Sequence, residues 1–85
     1  MKYMFVDESW EDYLYWQKTD KAILKRINEL IKDISRNPFS GIGKPEPLKY
    51  KYSGYWSRRI NQEHRIIYQV RDEEIIILKC RYHYD

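Results

Sequence analysis

Between residues 23 and 34 the apolar side chains Ile23, Leu24, Ile27, Leu30, Ile31 and Ile34 recur at i, i+1, i+4, i+7, i+8 and i+11. That spacing is one face of an amphipathic helix. Thr19-Asp20 supplies a cap in front of it, and Asn37-Pro38 stops it. Upstream, Trp10, Tyr13, Leu14 and Gln17 also follow a helical period. They predict a first helix whose apolar face is Trp10, Tyr13 and Leu14, capped by Ser9 or Asp7 and with Glu11 and Asp12 suited to its first turn. Residues 2–6 are short, aromatic and β-branched, and predict a strand before it.

Past residue 48 the period changes to two. Residues 49–52 read as a short strand closed by Ser53-Gly54. Residues 55–60 read as a strand with Trp56, Arg58 and Ile60 on one face and Ser57 and Arg59 on the other. After a turn at 61–64, residues 65–70 alternate Ile66, Tyr68 and Val70 against Arg65, Ile67 and Gln69. A turn at 71–74 leads into a final strand over 75–82, whose Ile75-Ile76-Ile77-Leu78 run belongs in a sheet interior. The predicted fold is α+β. An N-terminal strand is followed by two helices packed on one face of a mainly antiparallel sheet of four to five strands, in one domain spanning residues 1–85.

Register carries a chemical consequence. Arg59 and Arg65 share a sheet face only if the loop between their strands has an odd length, and a two-residue loop at Gln62-Glu63 puts them on opposite faces. On a shared face their guanidiniums repel, and a bound phosphate resolves the repulsion.

Charge sharpens this. The net charge is +3, and residues 1–43 hold seven basic and seven acidic side chains. Residues 44–65 hold six basic and two acidic, so the second half is where an anion binds. Tyr50, Tyr52, Tyr55, Tyr82 and Tyr84 lie among these cations, a mixture suited to single-stranded nucleic acid, although tyrosines also fill the rim of a small core. A second basic group, Lys21, Lys25, Lys32 and Arg36 with Lys18 before it, follows the outer face of the second helix. It is a solvated face or a surface for a large RNA. No apolar run is long enough to span a membrane, so no membrane partner is expected. One cysteine, Cys80, cannot form an internal disulfide, and a cytoplasmic setting is expected. With two histidines and one cysteine there is no zinc-ligand spacing, and no metal or other cofactor is expected.

Two stretches hold the remaining chemistry. The loop from residue 37 to 48 carries all three prolines, and Pro45 and Pro47 stiffen the backbone on either side of Glu46. The C-terminal Arg81-Tyr82-His83-Tyr84-Asp85 places an imidazole between two phenols directly after the buried strand. Strict alternation puts His83 and Tyr84 on opposite faces, so both reach one site only if the strand ends or twists near Arg81 or Tyr82. His64, in a turn, is read as exposed and idle. The set Glu46, Lys49, Arg59, Arg65, His83 and Tyr84 suits metal-free RNA cleavage. A base takes the 2′ proton, the 2′-oxygen attacks phosphorus, an acid protonates the leaving 5′-oxygen, and cations hold the extra negative charge. Glu46 is the candidate base and His83 the candidate acid, although the surrounding cations leave their assignment open. Arg65 is placed on the transition-state oxygens, Lys49 and Arg59 on phosphates, and Tyr84 on the scissile nucleotide or a base.

At these residues the sequence resembles the YoeB branch of the RelE/YoeB toxin superfamily. The resemblance is carried by Glu8-Ser9-Trp10-Glu11-Asp12-Tyr13-Leu14-Tyr15-Trp16, Ile27-Asn28-Glu29-Leu30-Ile31-Lys32-Asp33 and Gly43-Lys44-Pro45-Glu46-Pro47-Leu48-Lys49. It continues in Ser53-Gly54, Trp56-Ser57-Arg58-Arg59-Ile60, Glu63-His64-Arg65 and Arg81-Tyr82-His83-Tyr84. It implies a microbial-ribonuclease-like domain and an mRNA endonuclease that enters the A site of the 70S ribosome and cuts the codon there. It also implies a YefM-type antitoxin, operator DNA bound only through the antitoxin complex, and room for a homodimer. The family's functional glutamate, lysine, arginines, histidine and tyrosine match Glu46, Lys49, Arg59, Arg65, His83 and Tyr84. Asp85 is a departure, since chains of the family tend to end at the tyrosine. The added carboxylate is expected to weaken phosphate binding or shift Tyr84 without abolishing activity. Two other readings remain at this point: a noncatalytic RNA- or ribosome-binding module, and a corepressor whose basic cleft receives an acidic antitoxin tail.

Overall fold

The computed structural model describes residues 1–82, so the expectations for His83, Tyr84 and Asp85 lie outside the described residues. The elements run β1 (Lys2–Phe5), α1 (Asp7–Thr19), α2 (Lys21–Arg36), β2 (Glu46–Pro47), β3 (Trp56–Arg59), β4 (Arg65–Arg71) and β5 (Glu74–Lys79). The five strands form one sheet in the order β1-β5-β4-β3-β2. β1 runs parallel to β5 and every other pairing is antiparallel, which is the α+β arrangement expected. The core lies between the helices and one sheet face, where Ile27, Leu30 and Ile34 of α2 meet Ile66, Tyr68, Ile75 and Ile77 of the sheet.

The helix pair folds for two different reasons. α2 is the apolar stripe read from its spacing, and its N-cap is Asp20, whose carboxylate accepts from the N–H groups of Ala22 and Ile23. α1 is stitched instead of greased. Its buried residues are Ser9 and Trp16, while Trp10 is 47% exposed. Of the apolar face expected at Trp10, Tyr13 and Leu14, Tyr13 packs partly buried against the core while Trp10 lies at the rim, and the two rings stack on each other and pack edge-on against Phe5. The inner face runs against β5 and the residue after it through polar contacts. Ser9 Oγ donates to the carbonyl of Ile77 at 2.6 Å, Asp12 Oδ2 accepts from the Cys80 N–H at 3.1 Å, and Trp16 Nε1 donates to the Cys80 carbonyl at 2.8 Å. A small hydroxyl at Ser9 lets helix and strand approach where a large apolar side chain would hold them apart. The N-cap is Val6; Ser9 sits three residues into the helix and accepts the Val6 N–H from there, so neither residue expected as the cap occupies that position.

Two strand assignments are corrected. Residues 49–52 are not a strand: Tyr50–Tyr52 form a single 3-10 turn, and the edge strand is Glu46–Pro47, four residues earlier. An edge strand tolerates Pro47 because its missing N–H faces away from the ladder. The last strand ends at Lys79 instead of Tyr82, because Cys80 turns its N–H and C=O to α1.

Burial also decides the chemistry of the one cysteine. The Cys80 side chain is inaccessible, and burial, assisted by the Asp12 carboxylate, pushes its thiol up to about 12. Cys80 is therefore expected to be inert to a thiol reagent such as dithionitrobenzoate at pH 8 in the folded protein and to react fully in guanidinium. Rapid reaction of the folded protein would contradict this packing.

Candidate active site

The hairpin between β3 and β4 answers the register question. Trp56 pairs with Tyr68, Arg58 with Ile66 and Arg59 with Arg65, and Ile60 N–H closes the loop on the His64 carbonyl at 3.0 Å. Directly paired residues project to one face. Arg59 and Arg65 therefore stand side by side, on the face away from the helices, with Cβ atoms about 5 Å apart. Glu46 pairs with Ser57, which pairs with Ile67, so Glu46 joins the same face from the edge strand. Glu46 and Arg59 are offset by two residues along the strands, roughly 7 Å. The structure thus brings together Glu46, Arg59 and Arg65.

Their side chains differ in how they are held. Arg65 Nη1 donates to the carbonyls of Asn61, Gln62 and His64 at 2.7, 3.2 and 3.1 Å, which fixes the guanidinium against its own hairpin loop. Among the described residues its other N–H groups, and the whole of the Arg59 guanidinium and the Glu46 carboxylate, have no hydrogen-bonding partner. Lys49 is exposed at the start of the 3-10 turn, next to Tyr50, which is 91% exposed with φ +58°. Arg59 also lines a cavity of about 380 Å³ together with Arg26 and Lys44. Lys18, Lys21, Lys25, Lys32 and Arg36 are exposed on the helical side of the molecule, away from Glu46 and the arginine pair. Both the solvated-face and the RNA-surface readings of that group require this exposure.

Two residues that hold the site were not recognised from the sequence. The first is Arg58, which is completely buried on the helix side of the sheet. Nη1 meets Asp33 Oδ2 at 2.6 Å and the Ile42 carbonyl at 3.2 Å; Nη2 takes the carbonyls of Asn37 and Ser40 at 2.6 and 3.0 Å. Nε donates to Tyr68 Oη, which donates to the Pro38 carbonyl. One guanidinium thus organises the loop that delivers Glu46. Gly41 completes the fit: its φ is +128°, and a Cβ there would lie 2.1 Å from Asp33 Oδ2. The available signal was an arginine sharing a strand face with Trp56 and Ile60, which demands a buried acceptor set.

The second is His64. It is not an idle turn residue but a buried one, 6% exposed, packed edge-on against Trp16. Its Nδ1 accepts the Tyr82 N–H at 2.7 Å, and the Tyr82 carbonyl accepts the Arg65 N–H at 3.0 Å. The sequence shows nothing of this, because the partner is a backbone amide eighteen positions away.

The Arg58 hydrogen bond, seconded by the Ile42 N–H, holds the Asp33 carboxyl below the usual carboxylate range. A depressed carboxylate stabilises the fold above its unfolded pKa, and that contribution is lost as pH falls through the lower, folded value. Asp12 has the opposite sign, because burial raises its pKa. Asp33→Asn is therefore expected to flatten the acid limb of a stability profile below about pH 4, the ordinary carboxylate value. Asp12→Asn is expected to leave that limb in place. Urea midpoints across this range check both.

The whole sequence decides the family. A family model described as a YoeB-like toxin of bacterial type II toxin-antitoxin systems matches residues 5–84. The chain belongs to the YoeB toxin family. The YoeB toxin of Escherichia coli K12 is 63% identical over 84 residues, covering 99% of this chain and all of that one. A YoeB/ParE toxin from Agrobacterium tumefaciens superposes with TM-score 0.97 at 48% identity, over 99% of this chain and 100% of that chain. YoeB of Staphylococcus aureus has been solved in a heterotetrameric complex with YefM, with TM-score 0.92, and as a dimer, with TM-score 0.93. Both S. aureus chains are 52% identical, over 99% of this chain and 98% of theirs. The chain is thus a YoeB-family toxin of a type II toxin–antitoxin system.

Proposed function

We propose that this YoeB-family toxin is a ribosome-dependent endoribonuclease that cuts mRNA in the ribosomal A site and so stops translation. The observation that carries the reading is the Glu46, Arg59 and Arg65 face, a carboxylate on the same sheet face as two cross-strand paired arginines, with the Glu46 carboxylate and the Arg59 guanidinium unpaired among the described residues. Two like charges held side by side in the free protein are relieved by an anion, and a phosphodiester supplies one.

The reaction assigned to this face is transesterification by the RNA's own 2′-hydroxyl. Glu46 removes the 2′ proton. The 2′-oxygen forms a bond to phosphorus as the bond to the 5′-oxygen breaks, and His83 protonates that oxygen. Arg65, anchored by its Nη1, presents its remaining N–H groups to the equatorial oxygens and needs little reorganisation to do so. Arg59 and Lys49 position phosphates and Tyr84 orients the scissile nucleotide. No step asks for a metal. The ribosome supplies the other half of the geometry by presenting the codon, and the exposed basic helical surface supplies contacts to ribosomal RNA.

The partners follow the family. A YefM-type antitoxin binds and inhibits the toxin, operator DNA is reached only through that complex, and the toxin alone associates as a homodimer. Primer extension on programmed 70S ribosomes tests the function. Cleavage confined to the A-site codon is expected, with naked mRNA cut far more slowly. Stalled ribosomes carrying intact mRNA would overturn it in favour of blocking by occupancy.

A further inference from the structure

Tyr82 is the last described residue before His83 and Tyr84, and both of its backbone polar groups are tied down. The N–H goes to His64 Nδ1 at 2.7 Å and the carbonyl to the Arg65 N–H at 3.0 Å. Its φ is +64°, in the left-handed region that is uncommon for a residue other than glycine. His64 is itself well fixed. Its ring lies edge-on to Trp16 with centroids 4.7 Å apart, its N–H donates to Asn61 Oδ1 at 2.7 Å, and its carbonyl accepts from Ile60. A ring nitrogen that accepts a hydrogen bond carries no proton, so the His64 tautomer has its proton on Nε2, which lies 3.5 Å from Glu63 Oε1.

Nothing in the chemistry above uses this imidazole. We propose that His64 is a positioning residue for the cleavage reaction, its Nδ1 holding the Tyr82 N–H so that the Tyr82 carbonyl stays against the Arg65 N–H and Arg65 keeps its place toward the substrate. The inference rests on the nuclease reading. Its physical content is a reduction of freedom. With the Tyr82 N–H and carbonyl both held, β4 is pinned at its first residue, Arg65. Without the His64 acceptor the Tyr82 torsions are freed, and the carbonyl that meets the Arg65 N–H is no longer fixed. The same loop carries Arg65, whose Nη1 rests on the Asn61, Gln62 and His64 carbonyls. His64 therefore ties Tyr82 and the transition-state arginine to one support.

The test compares full-length His64→Phe, His64→Gln and His64→Asn in single-turnover cleavage on programmed ribosomes. Phe keeps a ring against Trp16 without an acceptor. Gln carries its amide toward the Nε2 end and leaves the Nδ1 position empty, which provides a second acceptor-free variant if Phe does not fold. Asn places Oδ1 where Nδ1 was. Phe and Gln are expected to lower the saturating rate roughly 100-fold, with half-saturation unchanged within about twofold, whereas Asn returns to within about tenfold of the parent. In parallel, hydrogen exchange at the Tyr82 amide is expected to be slow in the parent and Asn proteins and fast in the other two. A folded acceptor-free variant that cleaves at the parental rate although its Tyr82 amide exchanges fast would overturn the proposal. So would an Asn variant that protects that amide and still cleaves as slowly as Phe. A parent protein that leaves the mRNA intact defeats the nuclease reading and this inference with it; the exchange pattern distinguishes that case from a failure of the anchor alone.

Discussion

Glu46→Gln is expected to lower the single-turnover cleavage rate by about 10²–10⁴-fold, the usual contribution of a positioned general base. The amide keeps the size and hydrogen-bonding shape of the carboxylate but cannot take the 2′ proton. The fold is expected to be unaffected. Glu46 is exposed, its side chain has no partner among the described residues, and its place in the sheet depends on backbone pairing with Ser57. The melting temperature is therefore expected to stay within the change that ±0.5 kcal/mol produces in a surface substitution. Ribosome binding, measured by co-sedimentation, is expected to persist, which separates a catalytic carboxylate from a merely electrostatic one. Quenched time courses on programmed ribosomes give the rate. A variant that cuts like the parent would remove Glu46 from the chemistry and return the face to a binding role.

Arg58→Met is expected to cost about 3–5 kcal/mol, the range found when one partner of a buried ion pair is removed. The pair with Asp33 alone does not set this cost, since well-packed apolar replacements of such pairs are often neutral. The guanidinium also serves three loop carbonyls, on Asn37, Ser40 and Ile42, and all lose their donor together. In a domain of this size each kcal/mol moves the melting temperature by roughly 4–8 °C, so the fall is expected to exceed about 12 °C by circular dichroism. Adding Asp33→Leu is expected to recover part of the loss, since the two side chains share one network. The predicted signature is a coupling: cleavage falls with Arg58→Met even below its melting temperature, because the loop that carries Glu46 is no longer held.

The large elements were readable because each shows one signal in one dimension. The period of α2 and the alternation of β3 and β4 give their inner faces directly, and with them the shared face of Arg59 and Arg65 once the loop length is known. β1, β5 and the type of fold follow from the same patterning. What escaped was carried by contacts that a periodicity cannot encode. The inner face of α1 escapes the period because it is carried by Ser9, set close to β5, and by Trp16, while Trp10 lies at the rim. The edge strand at Glu46–Pro47 escapes the pattern because Pro45 and Pro47 read as loop, although an edge accepts proline. Within the site, Glu46, Lys49, Arg59 and Arg65 were named from loop stiffness, charge and resemblance. The two residues that hold them, Arg58 and His64, act mainly on backbone groups far along the chain, and a backbone group has no letter in the sequence.

This face is expected to cleave RNA through the substrate's own 2′-hydroxyl, and the product ends test that most directly. mRNA cut on ribosomes by the parent protein should carry a 2′,3′-cyclic phosphate, or the 3′-phosphate derived from it, on the upstream fragment and a 5′-hydroxyl on the downstream one. A message with a single 2′-deoxynucleotide at the cleavage position should remain whole. Upstream fragments ending in a free 3′-hydroxyl, or cleavage of the deoxy-substituted message at the normal rate, would contradict the account.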